Sequence, residues 1–228
     1  MRRRLRRALV VVGKSPEPGV TKTRLSPPLT PAQAADLYAA FLADSVDLAV
    51  RARWERLSVI YPPRPGAEAA LRALLPATVR LVAQPGNGLR DALTQAFERD
   101  LRAGFDQVVL IGSDNPSMPP DVLEQASEDL RANDVAIGPS EDGGYYLIGM
   151  KAAHPGLFER ITWSTDVVFG QTLERAAELD LKVATLPTWY DVDTVEDLRR
   201  LDADLARLGS DVAPRTRAAL ALLPLGAW

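Results

Sequence analysis

The chain has 228 residues, of which 46% are hydrophobic and 25% charged, with one histidine and no cysteine. This is enough apolar material for one sizeable core, and it excludes disulfides, thiolate nucleophiles, cysteine-ligated zinc and any site needing two histidines. The formal net charge is −3; without the five arginines of Met1-Arg2-Arg3-Arg4-Leu5-Arg6-Arg7, 22 basic residues face 30 acidic ones, so the body has no general attraction for nucleic acid or an anionic membrane.

Residues 1–7 read as a short basic N-terminal arm, because the apolar run behind them is too short for a signal peptide and leads straight into a Lys/Pro/Gly loop. Apolar, β-branched runs at Ala8–Val12, Leu57–Tyr61, Val79–Val82, Val108–Ile111 and Val135–Ile137 read as strands. Helical spacing fills the intervals at Pro31–Arg53, Ala67–Leu75 and Leu89–Ala103. Thr30-Pro31 and Pro119-Pro120 mark helix starts, the second opening Asp121–Ala132. Tyr145–Met150 then reads as a strand, Ser164–Leu179 as a helix, Leu181–Leu186 as a strand and Thr194–Leu208 as a helix. Gly209 to Pro214 is a break before a short helix over Arg215–Leu223. The alternation predicts an α/β fold, a mostly parallel central sheet with helices on both faces. No run approaches the roughly 18 residues that a membrane span needs, and with no cysteine a cytoplasmic location fits. His154, before Pro155, is expected to open a loop or helix.

Five segments carry chemistry, each placed where a strand gives way to a loop, which is where open α/β sheets collect ligands. Gly13-Lys14-Ser15-Pro16-Glu17-Pro18-Gly19 leads to Lys22 and Arg24, so three cations stand on a loop where glycines such as Gly19 permit close backbone approach. Such a loop suits a diphosphate, although a solvated basic turn has the same composition. The pattern of a P-loop is absent, since the glycine it requires upstream is replaced by Ala8.

In Gly112-Ser113-Asp114-Asn115-Pro116, Asp114 is placed to bind Mg²⁺ or Mn²⁺ beside substrate phosphates, or to cap the next turn; Ser113 donates to a phosphate or closes that turn. Glu141-Asp142-Gly143-Gly144-Tyr145-Tyr146 sets acids beside two glycines and sends two tyrosines to opposite faces of a strand, one toward a sugar pocket and one inward. A structural turn built on Asp142 is the alternative. Trp163 either stacks on a ring of the ligand or anchors packing, and Ser164 or Thr165 supplies a hydroxyl or caps the following helix. Asp191 and Asp193 share one side of an extended segment, so one of them completes a metal site with Asp114, unless Asp193 or Thr194 serves only to cap a helix.

These segments, read as Lys14-x-Pro16-x-Pro18-Gly19-x-x-Lys22-Thr23-Arg24-Leu25, Gly112-x-Asp114-x-Pro116, Asp142 to Gly149, Trp163-Ser164-Thr165 and Asp191-x-Asp193-Thr194, resemble the bacterial GT-A-fold glycosyltransferases of the arsenosugar-biosynthesis type. That family lies within the nucleotide-diphospho-sugar transferase superfamily, and the resemblance spans roughly residues 8 to 208. It implies phosphates near Lys14, Lys22 and Arg24, a divalent metal at Asp114 assisted by Asp193, and a sugar or second substrate near Asp142. The compact Asp-x-Asp of many GT-A glycosyltransferases is replaced here by Asp114-Asn115-Pro116, closer to the superfamily's nucleotidyltransferases. The loop ending Thr21-Lys22-Thr23-Arg24-Leu25 is also similar to that of 2-phospholactate guanylyltransferase, and Asp191–Asp197 resembles the closing motif of molybdenum cofactor guanylyltransferases.

The reading that follows is a single domain over 8–208, with a nucleotide-binding half at about 8–138, an acceptor-side half at about 139–208 and a helical tail at 209–228. It implies a metal-dependent transferase moving a glycosyl group from a nucleotide-sugar to a small-molecule acceptor, with Asp142 as the acceptor-activating base. A nucleotidyltransferase taking a nucleoside triphosphate and releasing pyrophosphate is the first alternative, and a nucleotide-binding protein without turnover the second. The apolar tail, with Leu220, Leu222, Leu223, Leu225 and Trp228, is expected to dock on the body or on a second subunit, which makes a homodimer worth testing.

Overall fold

The computed structural model describes residues 4–86 and 88–223. Seven strands form one sheet: β1 (Arg7–Val12), β2 (Arg56–Tyr61), β3 (Arg80–Ala83), β4 (Gln107–Gly112), β5 (Val135–Pro139), β6 (Tyr145–Met150) and β7 (Val183–Thr185). Their spatial order is β3-β2-β1-β4-β6-β5-β7. All neighbours are parallel except β6, which runs antiparallel to both β4 and β5. The chain runs outward from β1 to one edge through β2 and β3, then returns to place β4 on the other side of β1. That reversal creates a crevice at the carboxyl ends of β1 and β4, the usual ligand position of such sheets.

The helices are α1 (Pro31–Arg51), α2 (Ala67–Leu74), α3 (Leu89–Arg102), α4 (Asp121–Asp129), α5 (Val168–Glu178), α6 (Val195–Arg207) and α7 (Pro214–Leu220). Period-two alternation along the strands divides the core in two: Leu9 and Val11 face the side covered by α1, α2 and α4, while Ala8 and Val10 face α3 and α5. A third cluster, with Leu25, Phe41, Val192, Leu201 and Leu220, ties α1, α6 and α7 together beside the crevice. Capping boxes form at Thr30 with Gln33 on α1 and at Thr194 with Asp197 on α6, while α4 starts after Pro120 with no side-chain cap.

Two expectations need correction. Helix α5 begins at Val168 rather than Ser164, because Ser164 has a φ of 64° and the Thr165 hydroxyl donates to Thr162 O at 2.6 Å, which commits both to a preceding turn. The amide of Phe169 donates instead to Gly143 O at 2.8 Å, so a partner distant in sequence supports the helix start. The basic arm is not wholly separate from the body: Arg7 opens β1 and pairs with Glu124, and Arg6 stacks over Phe105 at 4.6 Å. In the tail, Leu220 is buried but Leu222 is exposed, while Leu225 and Trp228 lie outside the described residues. His154 immediately precedes a 3-10 turn over Pro155–Phe158.

Candidate active site

The crevice is a cleft of about 670 Å³. Of the residues singled out from sequence, Lys14, Lys22, Arg24, Ser113, Asp114, Asp142, Gly144, Tyr145, Tyr146, Trp163, Ser164, Thr165, Asp191 and Asp193 line it. Gly19 does not; it forms an exposed turn at φ 76°. Gly143 lies behind the wall at φ 87°, where a Cβ would sit 2.0 Å from the carbonyl oxygen of Asp166. Its bare Cα lets the loop before β6 and the loop before α5 close on one another, so its role is structural contact.

The loop after β1 carries the cations. Lys22 sits in the left-handed backbone region at φ 51°, just before a 3-10 turn over Thr23–Leu25. Its side chain is 2% exposed, and its Nζ lies 2.6 Å from Asp114 Oδ1 and 2.8 Å from Asp193 Oδ1. Burial opposes the charge on Lys22, but Asp114 and then Asp193 outweigh it and hold the ammonium above the ordinary lysine range. For Asp193, burial likewise pushes upward, while Lys22, followed by Arg24 and Lys14, brings the carboxyl below its usual range. Lys14 stands with Nζ 5.5 Å from the Tyr38 ring centre, and Arg24 is exposed at the cleft mouth.

The acids come from three places. Asp114 follows β4, and its carbonyl accepts from Val192 N at 3.0 Å, which draws the segment before α6 into the site. Pro116 stands where a second acid would complete Asp-x-Asp, and Asn115 turns inward: its Nδ2 donates to Tyr190 O and to Asp191 Oδ1, both at 2.7 Å. Asp191 Oδ2 accepts from the Ser140 hydroxyl. Burial first, and then the charges of Asp114 and Asp142, push Asp191 up to about 6 against the opposing hydrogen bonds from Ser140 and Asn115. Asp142 is exposed, and one of its oxygens accepts from Gly144 N at 2.9 Å, leaving the other toward the cleft.

The two tyrosines divide as expected from period two. Tyr146 is buried in the core on the α1 side and donates to Pro187 O at 2.9 Å, while Tyr145 packs against the α5 side and faces the cleft. Trp163 packs 6.3 Å from Phe158, the anchoring role, and also lines the cleft. Asp114, Asp191 and Asp193 do not form a ready metal cage: Lys22 stands between two of them, and among the described residues no three acid or imidazole groups converge. Sequence reasoning missed the apolar lining residues Val20, Leu89 and Leu93, and Asp166. The i, i+4 spacing of Leu89 and Leu93 was a usable signal for a shared helix face.

Residues 46–165 match a family described as "uncharacterized protein conserved in bacteria (DUF2064)". The chain belongs to that family. Among solved structures, this DUF2064 chain is similar to a candidate nucleotide-diphospho-sugar transferase from Desulfovibrio desulfuricans G20, with 34% identity, a TM-score of 0.87, and coverage of 96% of this chain and 95% of that one. It shares its fold with Rv0371c from Mycobacterium tuberculosis H37Rv, solved in complex with manganese, at 21% identity and TM-score 0.51, covering 86% of this chain and 97% of that one. The fold also matches 4-diphosphocytidyl-2C-methyl-D-erythritol synthase from Anaerococcus prevotii DSM 20548, at 12% identity and TM-score 0.60, covering 89% and 97%. No curated protein matches this DUF2064 chain. Its sheet and helices are those of nucleotide-diphospho-sugar transferase-like folds. No described helix is long and apolar enough to cross a membrane.

Proposed function

We propose that the cleft holds a metal-chelated nucleotide-sugar and transfers its glycosyl group to a small acceptor. The observation that carries this reading is the charge division of one cleft: Lys14, Lys22 and Arg24 arrive from the loop after β1, while Asp114 arrives from the end of β4 and Asp142, Asp191 and Asp193 from the acceptor-side loops. The cationic side suits a diphosphate, with Arg24 offering paired donors and the two lysines point charges. Val20, Leu89 and Leu93 give the cleft an apolar wall for a base, and Trp163 and Tyr145 give it flat walls for a sugar ring. The 34% identity to the candidate nucleotide-diphospho-sugar transferase supports the same substrate class. The resemblance of the five segments to arsenosugar-type glycosyltransferases supports glycosyl transfer within it.

Asp114 and Asp193 fit a divalent ion that takes one or two carboxylates and completes its shell with phosphate oxygens and water. The donors are hard oxygens, and Asp114 Oδ1 is buried with no hydrogen-bond partner beyond its ion-pair contact with Lys22. A bound Mg²⁺ or Mn²⁺ supplies a Lewis acid that offsets charge on the departing diphosphate. Arg24 and the two lysines stabilise the same oxygens. At the other end, Asp142 takes the proton of the acceptor hydroxyl as the acceptor oxygen bonds to the anomeric carbon and the bond from that carbon to the diphosphate oxygen breaks. The Gly144 amide fixes the Asp142 carboxylate in place for that task.

A nucleotidyltransferase is favoured by one specific observation: Pro116 takes the place of a second acid and Asn115 turns away onto Asp191 and Tyr190, which leaves Asp114 as the single acid at the end of β4. In that chemistry a phosphorylated acceptor attacks a nucleoside triphosphate and pyrophosphate leaves. A panel of nucleotide-sugars and triphosphates, incubated with small-molecule acceptors and Mg²⁺ or Mn²⁺, separates the readings by product. Nucleoside diphosphate with a glycosylated acceptor supports the proposal, pyrophosphate transfers the assignment to the second reading, and binding without any product leaves a nucleotide-binding protein.

A further inference from the structure

Tyr38 on α1 is buried, and its hydroxyl bridges the loops that follow β1 and β4. The amide of Lys14 donates to Tyr38 Oη at 3.0 Å, and Tyr38 Oη lies 2.9 Å from Ser113 Oγ. Gly13 makes the approach possible, since a Cβ there would lie 2.9 Å from Leu42 Cδ1 and 3.5 Å from the Tyr38 hydroxyl.

The direction of these bonds follows from counting hydrogens. A backbone amide only donates, so Lys14 N cannot receive the phenol proton. Ser113 Oγ is the remaining partner; if it donated to Tyr38 instead, the phenol hydrogen would be buried without an acceptor, which folding disfavours. Tyr38 therefore donates to Ser113. Burial, and then the charge of Asp114, hold the phenol well above its ordinary range, so it keeps that proton. Ser113 lines the cleft, and with one lone pair occupied by Tyr38 its own hydrogen is directed to a third group.

We propose that Tyr38 is a positioning residue that fixes Ser113 as a hydrogen-bond donor to an anionic phosphoryl oxygen in the cleft. This rests on the diphosphate reading above. The chain Lys14 N–H to Tyr38 O–H to Ser113 O–H is polarised in one direction, which strengthens the last donor. It also explains a tyrosine, rather than an aliphatic residue, at an otherwise apolar position of α1.

The test is calorimetric binding of inorganic pyrophosphate with Mg²⁺ to the wild-type protein, Tyr38→Phe, Ser113→Ala and the double variant. Each single variant is expected to bind roughly ten-fold or more weakly, the usual effect of losing a hydrogen bond to a charged group. The double variant is expected to be no weaker than Ser113→Ala, because Tyr38 acts through Ser113. Fluorotyrosine at position 38, a stronger donor that preserves packing, keeps the test open if Tyr38→Phe fails to fold: it should tighten binding in the Ser113 background and change nothing in Ser113→Ala. Additive losses, or unchanged binding by a folded Tyr38→Phe, overturn the inference and leave the diphosphate reading standing. No binding by the wild-type protein overturns both.

Discussion

Lys22 Nζ lies 2.8 Å from Asp193 Oδ1 across 171 positions of sequence, and the same ammonium meets Asp114 at 2.6 Å. This pair closes the loop after β1 onto the segment before α6. It also places a cation where the carboxylates would otherwise repel one another, the position a divalent ion would share.

Lys22→Met is therefore expected to bind Mn²⁺ more tightly than the wild-type protein when no nucleotide is present, as read by electron paramagnetic resonance. The same variant should unfold more easily, by about 1–2 kcal/mol. That lies below the range for breaking a fully buried pair, because Asp114 and Asp193 are 33% and 39% exposed. Equal or weaker Mn²⁺ binding would show that the ammonium does not compete for the site.

Asp191 gives a pH prediction. Its folded-state value, about 6, is above that of an unfolded aspartate. The ionised form is thus disfavoured by folding: the penalty is fully present above pH 6 and disappears as pH falls through 6 toward 4. Asp191→Asn keeps an oxygen for Asn115 Nδ2 and offers an amide to the Ser140 hydroxyl. Thermal melts should show the variant stabilised by about 1–3 kcal/mol at pH 8, with the advantage gone near pH 4. A loss of stability at pH 8 would contradict this account of the carboxyl.

Much of the site was legible because the strand ends are marked by abrupt changes of composition: Val108 to Gly112 is apolar and the next two residues are Ser113 and Asp114. Period two correctly separated Tyr145 from Tyr146. What was not legible depended on partners distant in sequence. The start of α5 is supported by the Gly143 carbonyl, the inward turn of Asn115 depends on Asp191, and Tyr38 looks like any apolar position of an amphipathic helix until its hydroxyl is seen between two loops. The antiparallel setting of β6 between β4 and β5 also has no local signature, since Tyr145–Met150 is as apolar as the parallel strands.

Gly143→Ala should separate the two acceptor-side loops. The added Cβ would strike Asp166 O, and the left-handed backbone costs a further 1 kcal/mol or about that much. Hydrogen exchange at the Phe169 amide, which donates to Gly143 O, is expected to quicken well before the sheet loses protection. Unchanged exchange at Phe169 would contradict the role of Gly143 as the contact between those loops.

For Asp142→Asn, turnover should fall by roughly 10²-fold or more while nucleotide affinity is retained, because the proposed role of Asp142 is toward the acceptor and not the phosphates. Steady-state kinetics with separate donor and acceptor titrations decides this. Unchanged kcat would reassign the base.

The most direct test of the cleft as a nucleotide site is a thermal-shift screen of nucleoside diphosphates, triphosphates and nucleotide-sugars, each with and without Mn²⁺. A ligand at 100 times its Kd stabilises by about 2.7 kcal/mol. The account predicts a metal-dependent rise in Tm with a nucleotide-sugar, reduced in Lys14→Ala and Arg24→Ala. No shift with any nucleotide, or a shift indifferent to both variants, would contradict it.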